Sequence, residues 1–166
     1  MTEVCPGCGA TLSPHAGATH PYFGASPSCW ALYGEVLARE YGDPAMMAVH
    51  RFTVDAYAVQ HPGIPERRST QSVWVHLASL YLTLERGLSH GFARKVIGIL
   101  ANEAEDFVWL DPPADLGSVT IVDVAAADTP TAHIAAVQAW AGAAWTAWQP
   151  HHATIAALSD RTIARL

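Results

Sequence analysis

Three cysteines, all within the first 29 residues, limit the fold of this chain more than any other feature of its sequence. Cys5 and Cys8 stand in a CPGC segment, which has the spacing of half a zinc site, and its tight turn directs backbone N–H groups at both thiolates. An odd number of cysteines that includes a CxxC pair argues against a disulfide scaffold. The pattern favours Zn²⁺ bound in a reducing compartment, and we therefore expect a cytoplasmic protein.

Cys29 is the expected third zinc ligand. A Ser-Pro pair at 26–27 signals a helix start, so Cys29 lies in the first helical turn, where the helix dipole favours the thiolate. His20 is the expected fourth ligand because it lies between the CPGC segment and Cys29, which keeps the cost of loop closure low. His15 and a more distant histidine such as His50 stay open as alternatives. A zinc with an open coordination position and a chain without metal also stay open.

The helix-start and helix-stop signals predict an all-α, single-domain bundle of about six helices. Ser-Pro, Asp-Pro and Thr-Pro pairs each place an N-cap before a proline at the first helical position. Residues 1–26 are expected to form a zinc-binding cap that packs on the helices of residues 27–166. The expected helices cover 27–41, 44–61, 70–86, 91–104, a short segment within 120–127, a long helix from 130 to about 150, and 151–166. No segment shows the alternating pattern of a β-strand.

Composition and charge argue against two classes of partner. The net charge is −6, with one lysine, eight arginines and no basic block, so we expect no nucleic-acid partner. The N-terminal MTEVCPGC lacks the basic and apolar regions of a signal peptide. Residues 129–159 contain no Asp, Glu, Lys or Arg, but polar residues interrupt them, so we expect a buried or interfacial helix and no membrane span.

Because 51% of the residues are hydrophobic, a second copy of the chain could cover part of the surface, giving a homo-oligomer.

The histidines supply most of the candidate catalytic residues, which are His50, Tyr57, His61, His76 and His151. The first three fall on one face of the helix 44–61, and the fourth lies on the next helix at the level of its middle. We expect them to line a polar pocket for a small-molecule ligand, closed by His151 or His152. A buried, fully hydrogen-bonded network is the alternative. Asp55 points away from this face and is expected to pair with Arg51.

Several motifs together resemble a family of small bacterial proteins that is classed as a domain of unknown function. The resemblance covers most of the chain and implies that these stretches form one module, but it implies no activity. The motifs are CPGCGA at 5–10, THPY at 19–22, GASPSCWALYGEVLAREY at 24–41, VHRFTVDAYAVQHPG at 49–63, QSVWVHL at 71–77 and WQPHHATI at 148–155.

Two functions compete. The first is a binding or interaction module stabilised by a structural Cys₃His zinc, with no chemistry of its own. The second is a small metal-dependent enzyme that uses the histidine-lined pocket. Neither HExxH, GxSxG nor a glycine-rich phosphate loop is present in the sequence, so we prefer the module. A solvent-reachable pocket in which the histidines converge would favour the enzyme.

Overall fold

The computed structural model describes residues 1–103 and 107–166 and shows a chain built almost entirely of α-helices, which confirms the all-α prediction. Within these residues, six helices have 11 or more residues and two are short. The helices are α1 (Pro27–Gly42), α2 (Pro44–Met47), α3 (His50–Gln60), α4 (Arg67–Leu80), α5 (His90–Asn102), α6 (Ile121–Ala125), α7 (Pro130–Ala147) and α8 (His152–Ile163). None of these described helices has the length and apolar character needed to cross a membrane.

A two-stranded antiparallel hairpin holds the CPGC segment. Its strands are β1 (Glu3–Val4) and β2 (Thr11–Leu12). Between them, the Cys5 N–H donates to the Ala10 carbonyl at 2.8 Å, and Gly9 turns the chain with a φ of 73°. The sequence pattern predicts no strand here, because two residues are too few to show alternation.

The predicted capping residues start their helices as expected. Ser26, Asp43 and Thr129 each accept a hydrogen bond from a backbone N–H of the first turn, and a proline follows each of them. Thr120 forms a capping box at the start of α6, within the segment expected to hold a short helix. Pro150 separates α7 from α8 within a 3₁₀ turn at Gln149–His151, as its missing N–H predicts.

The predicted helix 44–61 is broken into two. Between α2 and α3, Val49 has a φ of −106° and a ψ of 2°, outside the helical region. The Val49 N–H bonds to the Met46 carbonyl at 3.1 Å, which closes a tighter turn than an α-helix has. Neither glycine nor proline marks this break, so the sequence contains no signal for it.

The next two helices differ from prediction at their ends. α4 begins earlier than the expected 70–86 segment because the Glu66 carboxylate caps it, accepting the Ser69 N–H at 3.1 Å. A π-helical turn at Tyr81–Glu85 continues α4. α5 corresponds to the expected 91–104 helix, whose predicted last residue lies outside the described residues.

α3 lies at the centre of the fold, between α4 and α7. Two fully buried tryptophans near the C-terminal end of α7 fix the end of α3. The Trp148 Nε1–H donates to the Val59 carbonyl at 3.0 Å, and the Trp140 Nε1–H donates to the Gln60 side chain at 2.7 Å. The residue that follows α3 is therefore held in a rigid, dry part of the core.

Candidate metal centre

Three cysteines and one histidine converge where the N-terminal hairpin meets the helices. One ligand atom from each of Cys5, Cys8, Cys29 and His61 lies within 4.8 Å of every other. The hairpin turn supplies the first two, the first turn of α1 supplies the third, and the residue after α3 supplies the fourth. All three cysteines are free thiols, and only Cys8 is partly exposed.

The distances in this group match a tetrahedral metal site. The Cys8 and Cys29 sulfurs lie 3.8 Å apart, and the Cys29 sulfur lies 3.4 Å from His61 Nε2. With Zn–S bonds of about 2.3 Å and a Zn–N bond of about 2.0 Å, tetrahedral angles place sulfur atoms about 3.8 Å apart and sulfur about 3.5 Å from nitrogen. These two distances fit a single ion, and the remaining pairs of ligand atoms lie within 4.8 Å of one another.

The backbone of α3 sets the orientation of the His61 ring. His61 Nδ1 lies 2.7 Å from the Tyr57 carbonyl, and because a carbonyl only accepts, Nδ1 carries the proton. Nε2 is then the ring atom that faces the sulfurs, the arrangement seen for histidines that bind metals. The Gly24 N–H also donates to the His61 carbonyl at 3.2 Å, which ties the N-terminal loop to the same residue.

Gly7, inside the CPGC turn, allows the hairpin to lie directly on His61. A Cβ at this position would lie 2.5 Å from His61 Cδ2, 2.6 Å from the Gly24 carbonyl oxygen and 2.7 Å from the Gln60 carbonyl oxygen. Only a hydrogen atom fits in that space. The glycine of CPGC is therefore needed for the close approach of the hairpin to the end of α3.

Hydrogen bonds within the group move the pKa values of two of its cysteines in opposite directions. Hydrogen bonds from the Cys29 and Cys8 thiols hold the pKa of Cys5 well below its usual range. The hydrogen bond to Cys5, the neighbouring Cys8 and burial raise the pKa of Cys29. Burial lowers the pKa of His61, but hydrogen bonds and charge from Cys5 and Cys8 outweigh it and raise the pKa to about 9. A bound divalent cation would favour the deprotonated forms of these ligands and would displace their protons.

His20, the expected fourth ligand, lies outside the group. Its ring stacks on Phe23 with centroids 4.1 Å apart and meets Trp30 edge-on, and its Nδ1 accepts the Tyr22 N–H at 3.4 Å. Burial lowers its pKa. His20 therefore packs as an aromatic residue, and His61 takes the fourth position. His15 is exposed.

A buried carboxylate on α1 accepts hydrogen bonds from two of the other histidines. Glu40 is completely buried and accepts hydrogen bonds from His50 Nδ1 at 2.7 Å and from His133 Nε2 at 2.9 Å. The Thr53 hydroxyl donates to the same carboxylate. His50, a candidate for both catalysis and zinc binding, is therefore part of a network that keeps Glu40 hydrogen-bonded.

A second buried carboxylate accepts a hydrogen bond from His76. Asp55 accepts a hydrogen bond from His76 Nδ1 at 2.7 Å and forms the predicted ion pair with Arg51 at 2.8 Å. The Ser79 hydroxyl also donates to it at 2.5 Å. The expectation that Asp55 pairs with Arg51 is thus met, and the same carboxylate also fixes His76.

The candidate catalytic residues therefore occupy four places and do not line one pocket. The Tyr57 ring stacks on His61, with its hydroxyl donating to Cys29 at 3.6 Å, beside the metal group. His151 Nε2 lies 2.8 Å from the Asp111 carbonyl, a partner that none of the other candidates shares. The prediction that His61 shares a helix face with His50 and Tyr57 is based on a continuous helix. It fails because His61 lies past the end of α3, with a φ of −128° and a ψ of 58°.

A family model described as "Family of unknown function (DUF5946)" matches residues 3–149, which include all four residues of the metal group. The resemblance to a family without assigned function is confirmed at the level of the family. Neither a curated protein nor a solved structure matches the chain significantly. The comparisons therefore supply a family without an activity or a ligand.

Proposed function

The chain belongs to DUF5946, a family of unknown function, and from this premise we propose that it is a binding module whose fold is closed by one structural Zn²⁺. Cys5, Cys8, Cys29 and His61 would hold the ion. The proposal rests on one observation, the position of the four ligand atoms within 4.8 Å of one another although they come from three separate segments. When bound, the ion supplies a cross-link between the hairpin, α1 and the end of α3.

The donor set supports zinc in a structural role. Three thiolates and an imidazole suit zinc far better than magnesium or calcium, which prefer oxygen ligands. Four protein donors complete a tetrahedral shell and leave no position for water or substrate. Cys5 is 1% exposed and Cys29 and His61 are 0% exposed, so the shell is also closed to solvent on three of its four sides. Free thiols of this kind persist in reducing compartments, which supports a cytoplasmic location.

The zinc would pin the N-terminal segment to the helices. Hydrogen bonds also fix this segment: Glu3 accepts from the Ser28 hydroxyl at 2.5 Å and from its N–H at 3.4 Å, and the Ser69 hydroxyl donates to the Tyr22 carbonyl at 3.0 Å. The catalytic candidates do not converge, so the geometry favours the module over a metal-dependent enzyme.

Metal content measured on purified protein tests the proposal. The zinc content of the wild type, Cys5→Ser, His61→Ala and His20→Ala would be determined by mass spectrometry, and zinc affinity by competition with a chelator. We expect one zinc per chain in the wild type and in the matched control His20→Ala. Cys5→Ser and His61→Ala should lose about tenfold or more in affinity, because each removes a donor atom.

Cobalt substitution provides a second readout that does not depend on activity. Co²⁺ in a tetrahedral site with thiolate ligands gives intense visible absorption and thiolate-to-metal charge transfer, and both bands should weaken in Cys5→Ser. A wild type without zinc after purification in zinc-containing buffer would refute the proposal. So would loss of the metal in His20→Ala together with its retention in His61→Ala.

A further inference from the structure

A groove between α4 and α5, separate from the metal group, collects positive charge. Its volume is about 590 Å³, and its wall includes Arg68, Ser72 and His76 of α4, Arg94 of α5 and Tyr22. The three residues from α4 are spaced by four, so they share one face of the helix. Among the described residues, no Asp or Glu lines the groove, although the whole chain carries a net charge of −6.

Within the described residues, no carboxylate pairs with either of the two arginines of the groove. Arg68 and Arg94 are exposed, and neither forms an ion pair with any residue of 1–103 or 107–166. By contrast, Arg51, Arg86 and Arg165 each pair with a carboxylate. Two unpaired guanidinium groups at one concave surface make a positive site suited to an anion with several oxygen atoms.

Ser72 is an independent indication of a ligand. The residue is only 8% exposed, and in the described part of the chain its buried hydroxyl has no hydrogen-bond partner. Buried hydroxyls in folded proteins are nearly always hydrogen-bonded, so an unpartnered one on a groove wall calls for an explanation. An oxygen atom of a bound anion would supply the missing acceptor.

His76 completes the wall with a ring of fixed orientation. Its Nδ1 lies 2.7 Å from Asp55, a fully buried carboxylate that Arg51 and Ser79 also hold. Because the carboxylate accepts, Nδ1 carries the proton and Nε2 is the ring atom left for a ligand. The His76 side chain is 15% exposed, and its Nε2 makes no hydrogen bond to the residues that the structure describes.

We propose that this groove binds a small organic oxyanion, either a carboxylate or a phosphate monoester. Arg68 and Arg94 supply the opposite charge, the Ser72 hydroxyl donates to one ligand oxygen, and His76 Nε2 accepts from a ligand hydroxyl. A volume of about 590 Å³ suits a small molecule. Two arginines are too few to bind a nucleic-acid backbone firmly. The site depends on α4 and α5 and is independent of the metal proposal.

Calorimetric titration of the zinc-loaded full chain tests the site, with inorganic phosphate and succinate as separate probes. The variants are Arg94→Gln and Ser72→Ala, and neither side chain forms a hydrogen bond with residues 1–103 or 107–166 that the change would break. The matched control is Arg67→Gln, which removes an exposed arginine beside Arg68 that does not line the groove. We expect about a tenfold loss of affinity for Arg94→Gln, corresponding to one charge-assisted contact. Ser72→Ala should lose several-fold, and the control should stay within about twofold.

The outcomes separate the two ligand chemistries. Binding of phosphate alone assigns a phosphate monoester, binding of succinate alone assigns a carboxylate, and binding of both assigns a general oxyanion site. In each case the ring nitrogen resonance of His76 Nε2 should shift when the probe is added. Absence of binding for both probes at millimolar concentration would overturn the proposal. An equal loss in Arg67→Gln and Arg94→Gln would also overturn it, because that result indicates general charge attraction.

Discussion

The substitution Gly7→Ala tests most directly how closely the hairpin and the end of α3 depend on each other. The new methyl group would lie 2.5 Å from the His61 ring and 2.6 and 2.7 Å from two backbone carbonyl oxygens, whereas ordinary contact begins at 3.4 Å. Relieving the shortest contact therefore needs a movement of about 0.9 Å, and the two carbonyls belong to backbone that cannot rotate aside. Metal–ligand bonds tolerate only about 0.2 Å, so the turn cannot move without losing its fit to His61.

We expect Gly7→Ala to lower zinc affinity by about tenfold or more and the free energy of unfolding by about 1–3 kcal/mol, the usual cost of overpacking. Chelator competition measures the first effect and urea unfolding the second, each with and without zinc. The matched control is Gly34→Ala, an exposed position within α1 where a Cβ meets nothing within 4 Å. It should raise stability by up to about 1 kcal/mol and leave zinc affinity unchanged. Wild-type affinity and stability in Gly7→Ala would refute the reasoning.

Two further predictions concern buried and partly buried polar groups. Glu40→Gln replaces a carboxylate oxygen with an amide N–H₂ that faces a histidine donor, and should lower the free energy of unfolding in urea by about 3 kcal/mol. The control Glu35→Gln, exposed on the same helix, should change it by less than about 0.5 kcal/mol; equal effects would contradict the buried network. Burial lowers the pKa of His90 from its ordinary value of 6.5, so its contribution to stability is present above that pH and is lost as the pH falls through the lowered value. Titration of the His90 ring by NMR should give a midpoint below 6.5, and a midpoint above it would contradict the burial of the ring.

Local signals in the sequence account for most of the helices. Ser26, Asp43 and Thr129 are caps whose chemistry acts within one turn, so the sequence contains everything needed to place them. Such local signals do not account for the break at Val49 or for the start of α4 at its Glu66 cap. The break has no local breaker, and Glu66 stands in a linker without strong helical periodicity. These boundaries depend on how α3 and α4 pack against the rest of the fold.

Local sequence signals also predict only part of the metal group. CPGC and the first turn of α1 bring Cys5, Cys8 and Cys29 together through local structure, and all three were expected as ligands. The choice of His20 relied on short loop closure, whereas His61 lies 32 residues from Cys29 and reaches the site through the packing of α3. Loop entropy grows only slowly with length, so a distant ligand held on a rigid helix end costs little more than a local one.

The histidine-rich faces also have a common physical cause that the sequence hides. Glu40 and Asp55 are completely buried carboxylates, and each needs several hydrogen-bond donors to offset its desolvation. His50 and His133 supply donors to the first, and His76 supplies one to the second, from positions up to 93 residues away. Charge compensation therefore explains most of the pattern that resembles an active site. Each of the three histidines commits one ring nitrogen to a carboxylate, and His76 is the one that also lines the arginine-lined groove described above. The buried carboxylate that helps hold α3 and α4 together thus also orients a side chain on the wall of that groove, which is why the groove is the place to look for a ligand.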